Sequence, residues 1–130
     1  MGPTADTAAP TDAALPASAE TIDLAHLARM TLGERGLEVE VLTLFDRQAA
    51  VLLARMRDSA PAAVAAFAHT LKGSACGIGA WRVAEAAAAV ETDAIRSDAG
   101  EIAEAVARLA AAVDEAKAVI ADRLQPLTAR

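Results

Sequence analysis

The stretch EVEVLTLFDRQAAVLLARMRD, residues 38–58, decides the fold class. Its apolar residues Val41, Leu42, Phe45, Ala49, Leu52, Leu53 and Met56 recur at steps of three and four, the period of one helix face. Composition agrees with that reading. Aromatic residues make up only 2% of the chain, which is loaded with Ala, Leu, Glu and Arg. Strands favour aromatic and β-branched side chains, so an all-β fold is excluded.

Working outward from residues 38–58, the same period persists on both sides. Downstream, Ser59 is placed to act as an N-cap and Pro61 suits the first turn of a helix over residues 61–77. Gly77 and Gly79 are read as its C-terminal stop. A further helix is expected over 80–97, and Asp98-Ala99-Gly100 turns the chain. The last helix, 101–124, carries Ile102, Val106, Leu109, Val113, Ala116 and Ile120 as a seam, and Pro126 ends it. Upstream, a short helix begins near Asp23 with Leu24, Leu27 and Ala28 on one side, and Gly33 and Gly36 are read as its end. Short links between long amphipathic helices imply antiparallel neighbours. The expected architecture is all-α: an antiparallel up-down four-helix bundle with a short additional N-terminal helix.

The domain is expected to span residues 21–125, with a flexible N-terminal tail at 1–20 and a C-terminal tail at 126–130. Pro3, Pro10 and Pro16 leave no room for a helical period in the first segment. A chain of 130 residues suits a single domain, and an apolar fraction of 55% is too high for a disordered one. The formal net charge of −6, without clustered Lys or Arg, argues against a nucleic-acid partner. A single cysteine, Cys76, has no internal disulfide partner and fits a reducing compartment. The chain shows neither a membrane-length apolar run nor a signal-peptide pattern. A soluble cytoplasmic protein without a membrane role is the expectation.

One stretch departs from ordinary bundle composition: Ala68-His69-Thr70-Leu71-Lys72-Gly73-Ser74-Ala75-Cys76-Gly77-Ile78-Gly79. At about 100° per residue, Val64, Phe67, Leu71, Ala75 and Ile78 lie opposite His69 and form the core face, so the imidazole points outward. Lys72 follows one turn later, where its ammonium reaches a group attached to the ring. Gly73 shares the face in mid-helix, where glycine costs about 1 kcal/mol relative to alanine. Ala62, Ala65, Ala66 and Cys76 complete a lawn of small side chains around His69. His69 and Cys76 lie about 10 Å apart along the axis, too far to share a zinc ion, so no metal site is expected. His26 is read as a lone surface histidine. Lys72 precedes Gly73, which breaks the P-loop pattern, and no Ser/His/Asp triad is visible. What remains is an exposed nucleophilic imidazole with a cation and clearance beside it, suited to attack on phosphorus.

Ala68-His69-Thr70-Leu71-Lys72-Gly73-Ser74-Ala75, followed by Ile78-Gly79-Ala80, resembles the signature of the histidine phosphotransfer (HPt) domains of two-component phosphorelays. The resemblance covers about residues 22–124. It implies a phosphoacceptor at His69, an electrostatic partner at Lys72, and clearance for a docking receiver domain at Gly73, with Ala65, Ala66 and Cys76 around it. The family also places a polar residue on the following helix near the imidazole, and here that position resembles Glu91. Ala84, Ala87, Ala88 and Ile95 recur around Glu91, which puts it on an otherwise apolar stripe. There its carboxylate either accepts from the ring Nδ1–H or reaches solvent at the stripe's edge; both readings stand at this point. The implied role is a phosphorelay intermediate without cofactor, a carrier and not a kinase. It would act as a monomer with receiver domains of response regulators or of a hybrid histidine kinase. A non-phosphorylated adaptor, or an excised domain of a hybrid kinase, are the alternatives.

Overall fold

The computed structural model describes residues 21–96 and 98–125, so both expected tails lie outside it. Five helices and no strand occur among the described residues: α1 Leu24–Met30, α2 Arg35–Arg57, α3 Pro61–Ile78, α4 Trp81–Arg96 and α5 Ala99–Leu124. Helices α2 to α5 close a ring in which α2 packs on α3 and α5, and α4 packs on the same two. The short α1 lies against α3. This is the four-helix bundle with one added helix that the periodicity predicts.

The core is one continuous apolar cluster, with Leu42 and Phe45 of α2, Leu71 of α3, Val90 of α4 and Leu109 and Ile120 of α5 all buried. Alanines fill much of the α3–α4 contact, among them Ala68, Ala75, Ala84 and Ala87. Small side chains there let the two axes approach closely. Polar groups on their flanks therefore meet across the seam.

Several helix ends differ from the expected ones, each for a local reason. Gly36 does not end α1; it sits in the first turn of α2. The turn after α1 is closed by Leu32 N–H donating to Arg29 O and Gly33 N–H donating to Ala28 O, the paired bonds of a left-handed cap. The residue in the left-handed region is Leu32, at φ 56°, followed by Gly33 at φ 72°. The preceding Thr31 is buried, and its hydroxyl donates to Leu27 O at 2.8 Å, which anchors this turn. Within α1 only Leu27 is buried, whereas Leu24 and Ala28 are exposed, because a helix of seven residues, about two turns, offers only a narrow face.

Ser59 does not cap α3. Its hydroxyl donates back to Arg55 O, and Ala60 occupies the cap position without a side-chain bond. Gly77 continues α3, and Gly79 alone stops it, at φ 80°. The α5 helix starts at Ala99, two residues earlier than expected, because Asp98 Oδ1 accepts from Glu101 N–H at 3.1 Å. Across the bundle, Glu38 of α2 accepts from Arg123 of α5 at 2.6 Å and also pairs with Arg35 at 3.4 Å. This bond and the charge of Glu38 raise the Arg123 pKa further. Lys117 and Asp46 pair at 2.7 Å on the same side of the bundle.

Candidate functional site

The α3 helix presents His69 to solvent, with its side chain 67% exposed, while Val64, Leu71, Ala75 and Ile78 on the opposite face are buried. Phe67 is partly buried against the same core. The expected outward direction of the imidazole therefore follows from which α3 residues are consumed by packing.

Glu91 of α4 meets the ring across the α3–α4 seam. Its Oε2 lies 3.1 Å from His69 Nδ1, and its Oε1 lies 3.3 Å from Lys72 Nζ. One carboxylate thus bridges the two bases that α3 sets one turn apart. Burial pushes the Glu91 carboxyl up, but hydrogen bonds and charge from Lys72 and His69 outweigh it and hold the group below its ordinary value. An ionised carboxylate can only accept, so the ring must carry its proton on Nδ1. In the neutral ring, Nε2 then keeps its lone pair. Of the two readings of Glu91, the contact with the ring is the one found. Its stripe is only partly apolar core: Ala84 and Ala87 are buried, yet Ile95 is 75% exposed.

The clearance around the ring is open. A Cβ built at Gly73 meets nothing within 4 Å. Ala66 and Cys76 are exposed and Ala65 is half-buried, so the three stand where helical spacing places them. Cys76 is a free thiol. Among the described residues, no three His, Cys, Asp or Glu side chains group closely enough to hold a metal ion. No helix among the described residues is long and apolar enough to cross a membrane.

Two arrangements escape the sequence reading. Ser74, next to Gly73, donates its hydroxyl hydrogen to Gln48 Oε1 at 2.6 Å, pinning α2 to α3 beside the site. A polar residue at the edge of the α2 stripe was the available signal, but the partner lies 26 residues away. The second is around Trp81, whose indole N–H donates to Asp23 Oδ2 at 3.0 Å. His26 is not the lone surface residue expected: its ring packs on Trp81 at 4.9 Å between centroids, and its Nε2 is buried without a partner. Asp23 also accepts from His26 N–H. The Trp81 bond first, then the His26 amide, hold the Asp23 carboxyl below its ordinary value against the opposing effect of burial. This cluster anchors α1 to the α3–α4 turn and lies apart from His69.

A family model described as the Hpt domain matches residues 40–119. No curated protein and no solved structure matches the chain.

Proposed function

The chain belongs to the Hpt domain family, and on that premise we propose that it is a phosphorelay intermediate in which His69 takes a phosphoryl group from a receiver-domain aspartate and passes it to another. Family membership points to phosphotransfer in two-component signalling, as a phosphocarrier and not a kinase. The carrying observation is the Glu91 bridge, which sets a carboxylate against Nδ1 of an exposed imidazole, favouring the neutral tautomer with its proton on that nitrogen, and a cation one turn away.

In the forward step, the Nε2 lone pair attacks phosphorus as the acyl O–P bond breaks, and the aspartate leaves as its carboxylate. The proton stays on Nδ1. The ring becomes cationic as the N–P bond forms, and that charge faces the Glu91 carboxylate. Lys72 offsets the negative charge on the transferring oxygens. The reverse step restores neutral imidazole by the same path. Gly73, Ala65, Ala66 and Cys76 leave space for the receiver to bring its aspartate within bonding distance. No cofactor enters either step. The carrier acts as a monomer, and a lone thiol suits the reducing cytoplasm in which we place it.

Mixing the chain with phosphorylated receiver domains tests this reading. Label should appear on His69, acid-labile and base-stable, as a phosphoramidate is. Acid-stable label on serine or threonine would refute it.

A further inference from the structure

Helices α2 and α5 are fastened along one half of their seam and open along the other. Arg123 with Glu38 and Lys117 with Asp46 close the half near the start of α2. Beyond them a groove of about 670 Å³ runs down to the α2–α3 turn. Its floor holds Met56, Val64, Ile102 and Val106, all buried. Its α5 wall holds Ala103, Ala107 and Ala111, all exposed and too small to fill the seam. Arg57 stands at the lower end and Asp114 at the upper. Arg57 makes no ion pair among the described residues.

The chain enters the bundle at Asp23, whose N–H donates to Gly79 O at the end of α3. The Lys117–Asp46 and Gln48–Ser74 contacts set the helix registers and bring Asp114 level with Gly73. The upper end of the groove is then about 9 Å below Gly79. Crossing the bundle end from the α3–α4 corner to the α2–α5 seam adds two helix spacings, about 20 Å. Nine extended residues, the separation of Asp12 from Thr21, cover about 30 Å.

We propose that this groove seats the chain's own N-terminal segment DTAAPTD, residues 6–12, laid along α5 with Asp6 against Arg57. The segment lies outside the described residues, and its sequence suits the groove. Extended, it measures about 20 Å, against about 18 Å along α5 from Ile102 to Asp114. Its central side chains are small, as a wall of alanines requires, and Pro10 lowers the cost of ordering it. Residues 1–20 hold Asp6, Asp12 and Glu20 and no base, so Arg57 gains a partner. Asp12 falls between Asp114 and Lys117 and adds little either way. The uncharged residues 13–19 form the leash across the bundle end. Tethering gives the segment an effective concentration of about millimolar, enough for a shallow contact. The inference is independent of the phosphorelay reading, because no group around His69 takes part.

The test uses the full chain with a nitroxide at residue 9, from Ala9→Cys in a Cys76→Ser background, and reads paramagnetic broadening of backbone amides. The Ala103 and Ala107 amides should be lost from the spectrum, while Thr70 on the outer face of α3 stays visible. Ala107→Gln puts a long side chain into the groove at an exposed position where glutamine is a good helix former. It should restore both amides while circular dichroism stays native. Arg57→Glu should restore them in part, and adding Asp6→Arg should bring the broadening back. Undiminished Ala103 and Ala107 amides in the native groove overturn the proposal, as does broadening that survives Ala107→Gln. Broadening of a nitroxide-free chain by separate nitroxide-bearing copies also overturns it, since the groove then takes a second copy.

Discussion

Glu38 and Glu91 do the same thing at two places in the bundle, with opposite results. Each is a half-buried carboxylate on one helix that holds two bases, Arg35 and Arg123 in the first case, His69 and Lys72 in the second. Around Glu38 both partners are guanidiniums, always charged and without a lone pair to give. The result is a clamp between α2 and α5. Around Glu91 one partner is an exposed imidazole, and in the phosphorelay reading proposed above the same acceptance of an N–H leaves the other ring nitrogen as the nucleophile. A bridged carboxylate is thus neutral as to function; the identity and exposure of what it bridges decide between fastening and reacting.

Breaking the second bridge at its reactive member should have the largest effect. His69→Gln should abolish labelling from every donor while circular dichroism and the melting temperature stay native, because the side chain points away from the core. Arg123→Gln should do the reverse, keeping full labelling and lowering the melting temperature. Retained label in His69→Gln would erase the contrast between the two sites.

Next in size is Gly73, which has no counterpart at the clamp. Gly73→Gln should slow receiver transfer by more than about tenfold yet spare labelling by phosphoramidate, since only a docking protein needs the space. Gly73→Ala should raise stability by up to about 1 kcal/mol in thermal melts, as φ there is already helical. Unimpaired receiver transfer in Gly73→Gln would show that the glycine is not clearance.

A smaller effect is expected from Lys72→Ala. Transfer should slow by about tenfold, less than for a buried oxyanion donor because solvent screens this half-exposed ammonium, and the bundle should not unfold. Equal rates at matched receiver concentration would remove Lys72 from the step.

The finest comparison sets the two glutamates side by side. Glu38→Gln should cost more stability than Glu91→Gln, which at neutral pH should cost about 0.5 kcal/mol or less. Glu91 is held below its ordinary carboxyl value, so its contribution is present above the carboxylate range and disappears as pH falls through the lowered value. The melting-temperature gap between wild type and Glu91→Gln should accordingly close on acidification. A gap that stays constant to low pH would mean that the bridge adds nothing through ionisation.

The long helices were legible because burial follows period: Ile102, Leu109, Val113 and Ile120 of the α5 seam are all buried. The outward placement of His69 and Lys72 was legible for the same reason, since spacing shows which face of α3 the core leaves free, whereas Glu91 was marked by the family resemblance with its contact to the ring left as one of two readings. What the sequence hid lies at ends and across gaps. Ser59 has the chemistry of a cap but bonds backward, and Leu32 takes the left-handed position that composition assigns to a glycine. Gln48 with Ser74, and Asp23 with Trp81, are contacts between distant segments, and no local period encodes them.

Gly79 ties two of these features together. Its carbonyl accepts from Asp23 N–H at 2.9 Å, and a Cβ on it would stand 3.0 Å from Asp23 Cβ and from Asp23 O. The seating of α1 and the reversal from α3 to α4 are therefore one cooperative unit. Hydrogen exchange at the Asp23 and Ala80 amides should report a single opening free energy, and the fluorescence of Trp81, the chain's sole tryptophan, should follow the same transition. Gly79→Ala should loosen both amides together and leave those in the middle of α5 at their native protection.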